Sequence, residues 1–138
     1  MYKTRDYIHN GVLYLNNIIR PRHKKLRTLM IYSTTKCQSR CKHCSIWQKP
    51  VEHLSLEDIK NVMISKCVTR NTTVGLEGGE FILHPEADAI MEWFMNNHPN
   101  YTLLSNCLKP QRVIEAVRKY HPVHLYVSLD GTKRFTKR

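Results

Sequence analysis

At 138 residues and 41% hydrophobic content the chain can bury one modest core, so one domain is expected rather than two. Its 22 Lys and Arg against 11 Asp and Glu leave a formal charge of +11, which favours anionic partners and is concentrated in RPRHKKLR (residues 20–27) and TKRFTKR (residues 132–138). No apolar run approaches the roughly 18 residues of a membrane-spanning helix, and the N-terminus lacks a signal-peptide pattern, so a cytoplasmic protein without a membrane partner is expected.

Residues 1–28 read as a basic N-terminal extension and residues 29–138 as the folded core. The core opens on LMIYS (residues 29–33), an apolar run of strand length, followed by the loop TTKCQSRCKHCSIW (residues 34–47). SLEDIKNVMISK then predicts an amphipathic helix: Ser55 is an N-cap with Asp58 three residues on, and Leu56, Ile59, Val62 and Met63 share a face. A second strand lies in TVGLEGG (residues 73–79). The next helix starts near Pro85, with Glu86 and Asp88 at its positive end and Ile90, Met91, Phe94 and Met95 on its apolar side. YTLLS (residues 101–105) is the third strand. A helix from Pro110 to Tyr120 turns Val113, Ala116, Val117 and Tyr120 inward and stops at Pro122, before the fourth strand in VHLYVSL (residues 123–129).

Strands alternating with helices imply an α/β fold in which parallel strands are joined by right-handed crossovers. Ligands in such folds bind at the C-terminal strand ends. Cys37, Cys41 and Cys44 follow the first strand, Gly78, Gly79 and Glu80 the second, Ser105 and Asn106 the third, and Ser128, Asp130 and Gly131 the fourth. One rim of the sheet therefore collects them.

In a reducing compartment five cysteines, an odd number with three in eight residues, argue for metal or redox chemistry over disulfides. Structural zinc wants four ligands, commonly from paired C-x-x-C units, and only one such unit is present. Cys67 and Cys107 follow other elements and read as small buried hydrophobes, and His43 does not suit a zinc site of this spacing. A 4Fe-4S cube is different, because three thiolates can hold three irons and leave the fourth open to a small molecule.

These residues resemble the signature set of the radical S-adenosylmethionine (radical SAM) superfamily. Its C-x-x-x-C-x-aromatic-C motif, on the loop after the first strand, is matched by Cys37, Cys41, His43 and Cys44. Its GGE motif is matched by Gly78, Gly79 and Glu80, with Phe81 where proline is usual. Ser105, Asn106 and Cys107 resemble a Ser/Thr-Asn-Gly motif with cysteine in place of glycine, and Ser128, Asp130 and Gly131 match S-x-D-G. All four stand in family order. The resemblance implies a partial (β/α) barrel of the radical SAM type, about four βα units of about six, and hence a fragment or an edge that something else covers.

It further implies a 4Fe-4S cluster on Cys37, Cys41 and Cys44, with S-adenosyl-L-methionine (SAM) chelating the open iron. Gly78, Gly79 and Glu80 would approach the methionyl group of SAM, His43 would border the adenine, Ser128 would contact the ribose or carboxylate, and Ser105, Asn106 and Asp130 would complete the binding rim. The implied chemistry is reductive cleavage of SAM to a 5′-deoxyadenosyl radical, with electrons from a reductase or flavodoxin-type donor and no catalytic side chain assigned. The substrate, a small molecule, a peptide or RNA, is left open. The alternative is a non-catalytic basic zinc or iron-sulfur module contacting nucleic acid. Glu77 and Glu80 are not read as an acid–base pair, Trp47 reads as a packing residue, and His84-Pro85 as the shaped start of a helix.

Overall fold

The four apolar runs form strands β1 (Thr28–Tyr32), β2 (Thr73–Glu77), β3 (Tyr101–Ser105) and β4 (His124–Val127) in the computed structural model, which describes residues 4–129. They lie in one sheet in the order β1-β2-β3-β4, each pair parallel. Tyr32 pairs with Glu77 and Ser105 with Val127, so the C-terminal ends of the strands form a single rim. The crossovers carry helices α2 (Leu56–Met63), α3 (Ala87–Asn97) and α4 (Pro110–Tyr120). This is the expected α/β architecture of a partial barrel. A further helix, α1 (Thr4–Ile19), precedes the sheet, where the sequence reading assigned no element.

One face of the sheet makes the core. Ile31, Val74, Leu76, Tyr101 and Leu103 are buried against Ile59 of α2, Ile90, Met91 and Phe94 of α3, and Val113, Ala116 and Tyr120 of α4. Each such side chain contributes roughly 1.5–3 kcal/mol on burial. The capping box expected at α2 is formed: the Asp58 amide donates to Ser55 Oγ at 3.1 Å and the Ser55 amide to Asp58 Oδ2 at 3.0 Å. Val62 is 45% exposed, against expectation, because it lies about 60° round the helix from Ile59 and overhangs the edge of the core. Helix α4 has the predicted bounds, set by Pro110 at its first turn and by His121, which ends it in the left-handed region. Tyr120 joins it to α3 by donating to Asp88 Oδ1 at 2.8 Å.

His84 docks the start of α3 on the segment before α2. Its Nδ1 accepts from the Glu86 amide at 3.0 Å, so Nε2 carries the proton donated to the Leu54 carbonyl at 2.9 Å. The ring is held neutral: burial chiefly lowers its pKa below the ordinary 6.5, with the nearby His53 acting in the same direction and the Leu54 carbonyl and Glu86 opposing. Because the folded value is the lower one, this stability is present above pH 6.5 and is lost as pH falls from there toward the folded value. The melting temperature is therefore expected to fall on acidification below about 6.5. In His84→Asn the fall over that window should be smaller, which a pH series of thermal melts checks.

Every residue of β4 is exposed, and its outer edge is unpaired among the described residues. Asp130 and Gly131 lie outside those residues.

Candidate functional site

The cysteine loop, residues 36–49, rises from a clamped base. On one side the strand direction of β1 continues through Ser33, whose amide donates to the Glu77 carbonyl at 3.0 Å. On the other, residues 50–54 return alongside it. The Leu54 amide donates to the Ser33 carbonyl at 2.9 Å, the Thr35 amide to the Glu52 carbonyl at 3.1 Å, and Thr35 Oγ1 to the Pro50 carbonyl at 2.7 Å. Thr34 and His53 form an isolated antiparallel bridge there, with Thr34 Oγ1 2.8 Å from His53 Nδ1. Both ends of the loop are thus fixed while its middle is free to present side chains.

Gly78 and Gly79 complete the clamp. The Gly79 amide donates to the Thr34 carbonyl at 2.7 Å and the Glu80 amide to the Lys36 carbonyl at 2.8 Å. A Cβ on Gly78 would stand 2.4 Å from the Thr34 carbonyl oxygen, and one on Gly79 would stand 2.3 Å from that of Lys36. Gly78 also has φ of 146°, which a side chain disfavours. Both glycines therefore serve a backbone-to-backbone contact with the cysteine loop, in addition to any approach by a ligand.

Glu80 is 4% exposed, and its carboxylate ties β2 to the end of β3. Ser105 Oγ donates to Oε1 and the Asn106 amide to Oε2, each at 2.8 Å. Asn106 extends this chain toward the cysteines: Nδ2 is 3.8 Å from Cys37 Sγ, and Oδ1 accepts from Gln38 Nε2 at 3.2 Å and from the Leu108 amide at 3.0 Å. Cys107 adopts φ of 51°, in the left-handed region where the resembling motif has glycine, at a cost of about 1–2 kcal/mol. The Ser128 amide donates to the Ser105 carbonyl at 3.0 Å, bringing β4 to the same point.

Cys37, Cys41, His43, Cys44, Gly78, Gly79, Glu80, Ser105, Asn106 and Ser128 all line one cleft of about 190 Å³. Of the residues expected at the rim, Asp130 and Gly131 lie outside the described residues. The cleft is below the roughly 300–1,000 Å³ of a pocket that encloses its ligand. Its wall also includes Ser39, Ile46, Trp47 and Leu104, which the sequence did not single out as site residues. Ser39 is buried; its amide donates to Cys37 Sγ at 3.4 Å and its hydroxyl accepts from the Cys41 thiol at 3.5 Å. A serine between two cysteines carries no sequence signal for that role. Trp47 packs less fully than expected, 37% exposed, with the Arg40 guanidinium 5.7 Å from its ring centre.

The donor set suits a polynuclear centre. Cys37, Cys41 and Cys44 are in no disulfide, and all three line the cleft. Among the described residues no three His, Cys, Asp or Glu side chains converge on one point as a mononuclear site. Thiolates of a cluster each take a different iron and need not meet at one centre. Burial chiefly raises the Cys37 pKa, with Glu80 and the other two thiols acting the same way and the Ser39 amide opposing. The carboxylate of Glu80 is held by the Ser105 and Asn106 donors and meets no cation among the described residues. Cys67, expected in the core, is instead exposed, and its carbonyl accepts from the Leu26 amide at the opposite end of the sheet. Cys107 is half-buried against the core.

No curated protein and no solved structure matches the chain. Residues 31–138 match the Radical SAM superfamily, a span that begins in β1 and takes in every residue of the cleft. With more than half of its length matched, the chain belongs to the Radical SAM superfamily.

Proposed function

We propose that this chain holds a 4Fe-4S cluster on Cys37, Cys41 and Cys44, binds SAM in the adjoining cleft, and works in a radical SAM enzyme. One observation carries the reading: three thiols, a glycine turn and the Glu80 carboxylate line a single cleft at the C-terminal ends of parallel strands. When bound, the two groups supply one-electron reduction and radical abstraction of hydrogen from a substrate.

The chain's residues do the positioning. Glu80 has two of its four acceptor sites filled by Ser105 and Asn106, and the remaining two suit an ammonium such as that of SAM. Asn106 Nδ2 and the Ser39 amide are aimed at Cys37 Sγ, where hydrogen bonds stabilise negative charge on sulfur and tune a cluster's potential. His43 and Ser128 border the same cleft and are assigned to the adenosine end of SAM; Asp130 is assigned with them. An external one-electron donor is required, of reductase or flavodoxin type.

Anaerobic reconstitution is expected to give about four iron and four sulfide per chain. Cys37→Ala, Cys41→Ala and Cys44→Ala should each lose most of the iron, whereas Cys67→Ala should retain it. Stoichiometric zinc, or iron undiminished in all three variants, contradicts the proposal.

A further inference from the structure

Helix α1 turns its apolar side away from the fold. Ile8, Val12, Tyr14, Leu15, Ile18 and Ile19 are 57% to 74% exposed, and at 3.6 residues per turn they fall within an arc of about 160°. The side toward the body is polar instead: Asn10, Asn16 and Asn17 are half-buried there with Leu13. Asn17 fixes the helix by donating to the Lys25 carbonyl at 2.9 Å and accepting from the Lys25 amide at 2.8 Å. An amphipathic helix of a globular core has the reverse orientation.

A cationic segment follows directly. Arg20, Arg22 and Lys24 are exposed, with no ion pair among the described residues, and no Asp or Glu stands between Asp6 and Glu52. The segment is held at the N-terminal rim of the sheet, opposite the cleft, because Lys25 Nζ donates to the Lys66 carbonyl at 2.7 Å and the Leu26 amide to that of Cys67 at 2.8 Å. An apolar partner would answer the arc and leave the cations unmatched; an anionic lipid surface answers both.

We propose that α1 and the basic segment dock this protein on an anionic bilayer. The helix lies in the plane of the interface, with Ile8, Val12, Leu15 and Ile19 among the acyl chains and Arg20, Arg22 and Lys24 at the phosphates. No helix of the described residues is long and apolar enough to cross a membrane, and surface docking needs none. The proposal goes beyond the expectation of no membrane partner, which rested on the missing span alone.

Sedimentation of the purified full chain with vesicles tests this. Vesicles of mixed phosphatidylcholine and phosphatidylglycerol should bind it at least about tenfold more tightly than phosphatidylcholine alone, with the excess lost in high salt. The double variant Val12→Asp, Leu15→Asp should abolish binding. Changing Arg20, Arg22 and Lys24 to Gln should weaken it roughly fivefold per cation. These side chains lie outside the core, so the melting temperature and iron content should be unchanged and serve as the folding control. Equal binding to both vesicles, no binding, or binding that survives the Asp variants overturns the proposal. So does a concentration-dependent dimer that the Asp variants dissolve in the absence of vesicle binding, which would assign the face to a second copy.

Discussion

Gly79→Val is expected to abolish cluster incorporation. The branched side chain would begin at a Cβ 2.3 Å from the Lys36 carbonyl oxygen and 2.8 Å from that of Thr35, and those atoms are backbone of the segment that launches the cysteine loop. Neither can move without breaking the bonds from Gly79 to Thr34 and from Glu80 to Lys36. Overpacking of this kind costs about 1–3 kcal/mol or more, and here the displaced backbone carries Cys37 directly. Iron content should fall to background while far-ultraviolet circular dichroism stays largely native. Gly11→Ala is the matching control, since no atom lies within 4 Å of its would-be Cβ, and it should leave iron content unchanged and raise stability by about 1 kcal/mol. Full iron in Gly79→Val would show that the contact between the glycine turn and the loop does not hold the cysteines.

Glu80 separates two roles according to the substitution. Glu80→Ala removes two hydrogen bonds to a charged group, worth about 1.5–3 kcal/mol each, and leaves the Asn106 amide without its partner. A destabilisation of about 3 kcal/mol and a poorly ordered rim are expected. Glu80→Gln keeps the shape and one acceptor but not the charge. It should retain most of the iron while weakening SAM binding about tenfold, the scale of one charge-assisted hydrogen bond. Titration of SAM into the two reconstituted proteins checks this. Unchanged affinity in Glu80→Gln would confine Glu80 to joining β2 and β3.

Much of this was legible because local and tertiary signals agree. Pro110 and Pro122 bracket α4, and Ser55 with Asp58 marks the start of α2, each by backbone chemistry that the surroundings do not override. The rim followed from topology: strands joined by helical crossovers run parallel, so residues after each strand must meet at one end. What depends on contacts distant in sequence was not legible. The close approach of Gly78 and Gly79 to Thr34 and Lys36 spans some forty residues, and the seating of Asn106 on Cys37 spans 69. Nor does composition tell a buried cysteine from an exposed one, as Cys67 shows. The stripe Ile8, Val12, Leu15, Ile19 is present in the sequence, but periodicity cannot say whether a helix turns it inward or outward.

Electron paramagnetic resonance of the reduced, reconstituted protein with and without SAM is the most direct measurement. If the three cysteines leave one iron open beside the Gly78–Glu80 turn, SAM should change the spectrum at near-stoichiometric addition, and Glu80→Gln should require about tenfold more SAM for the same change. A cluster of full iron content whose spectrum is indifferent to SAM at any concentration would contradict SAM binding at this cleft.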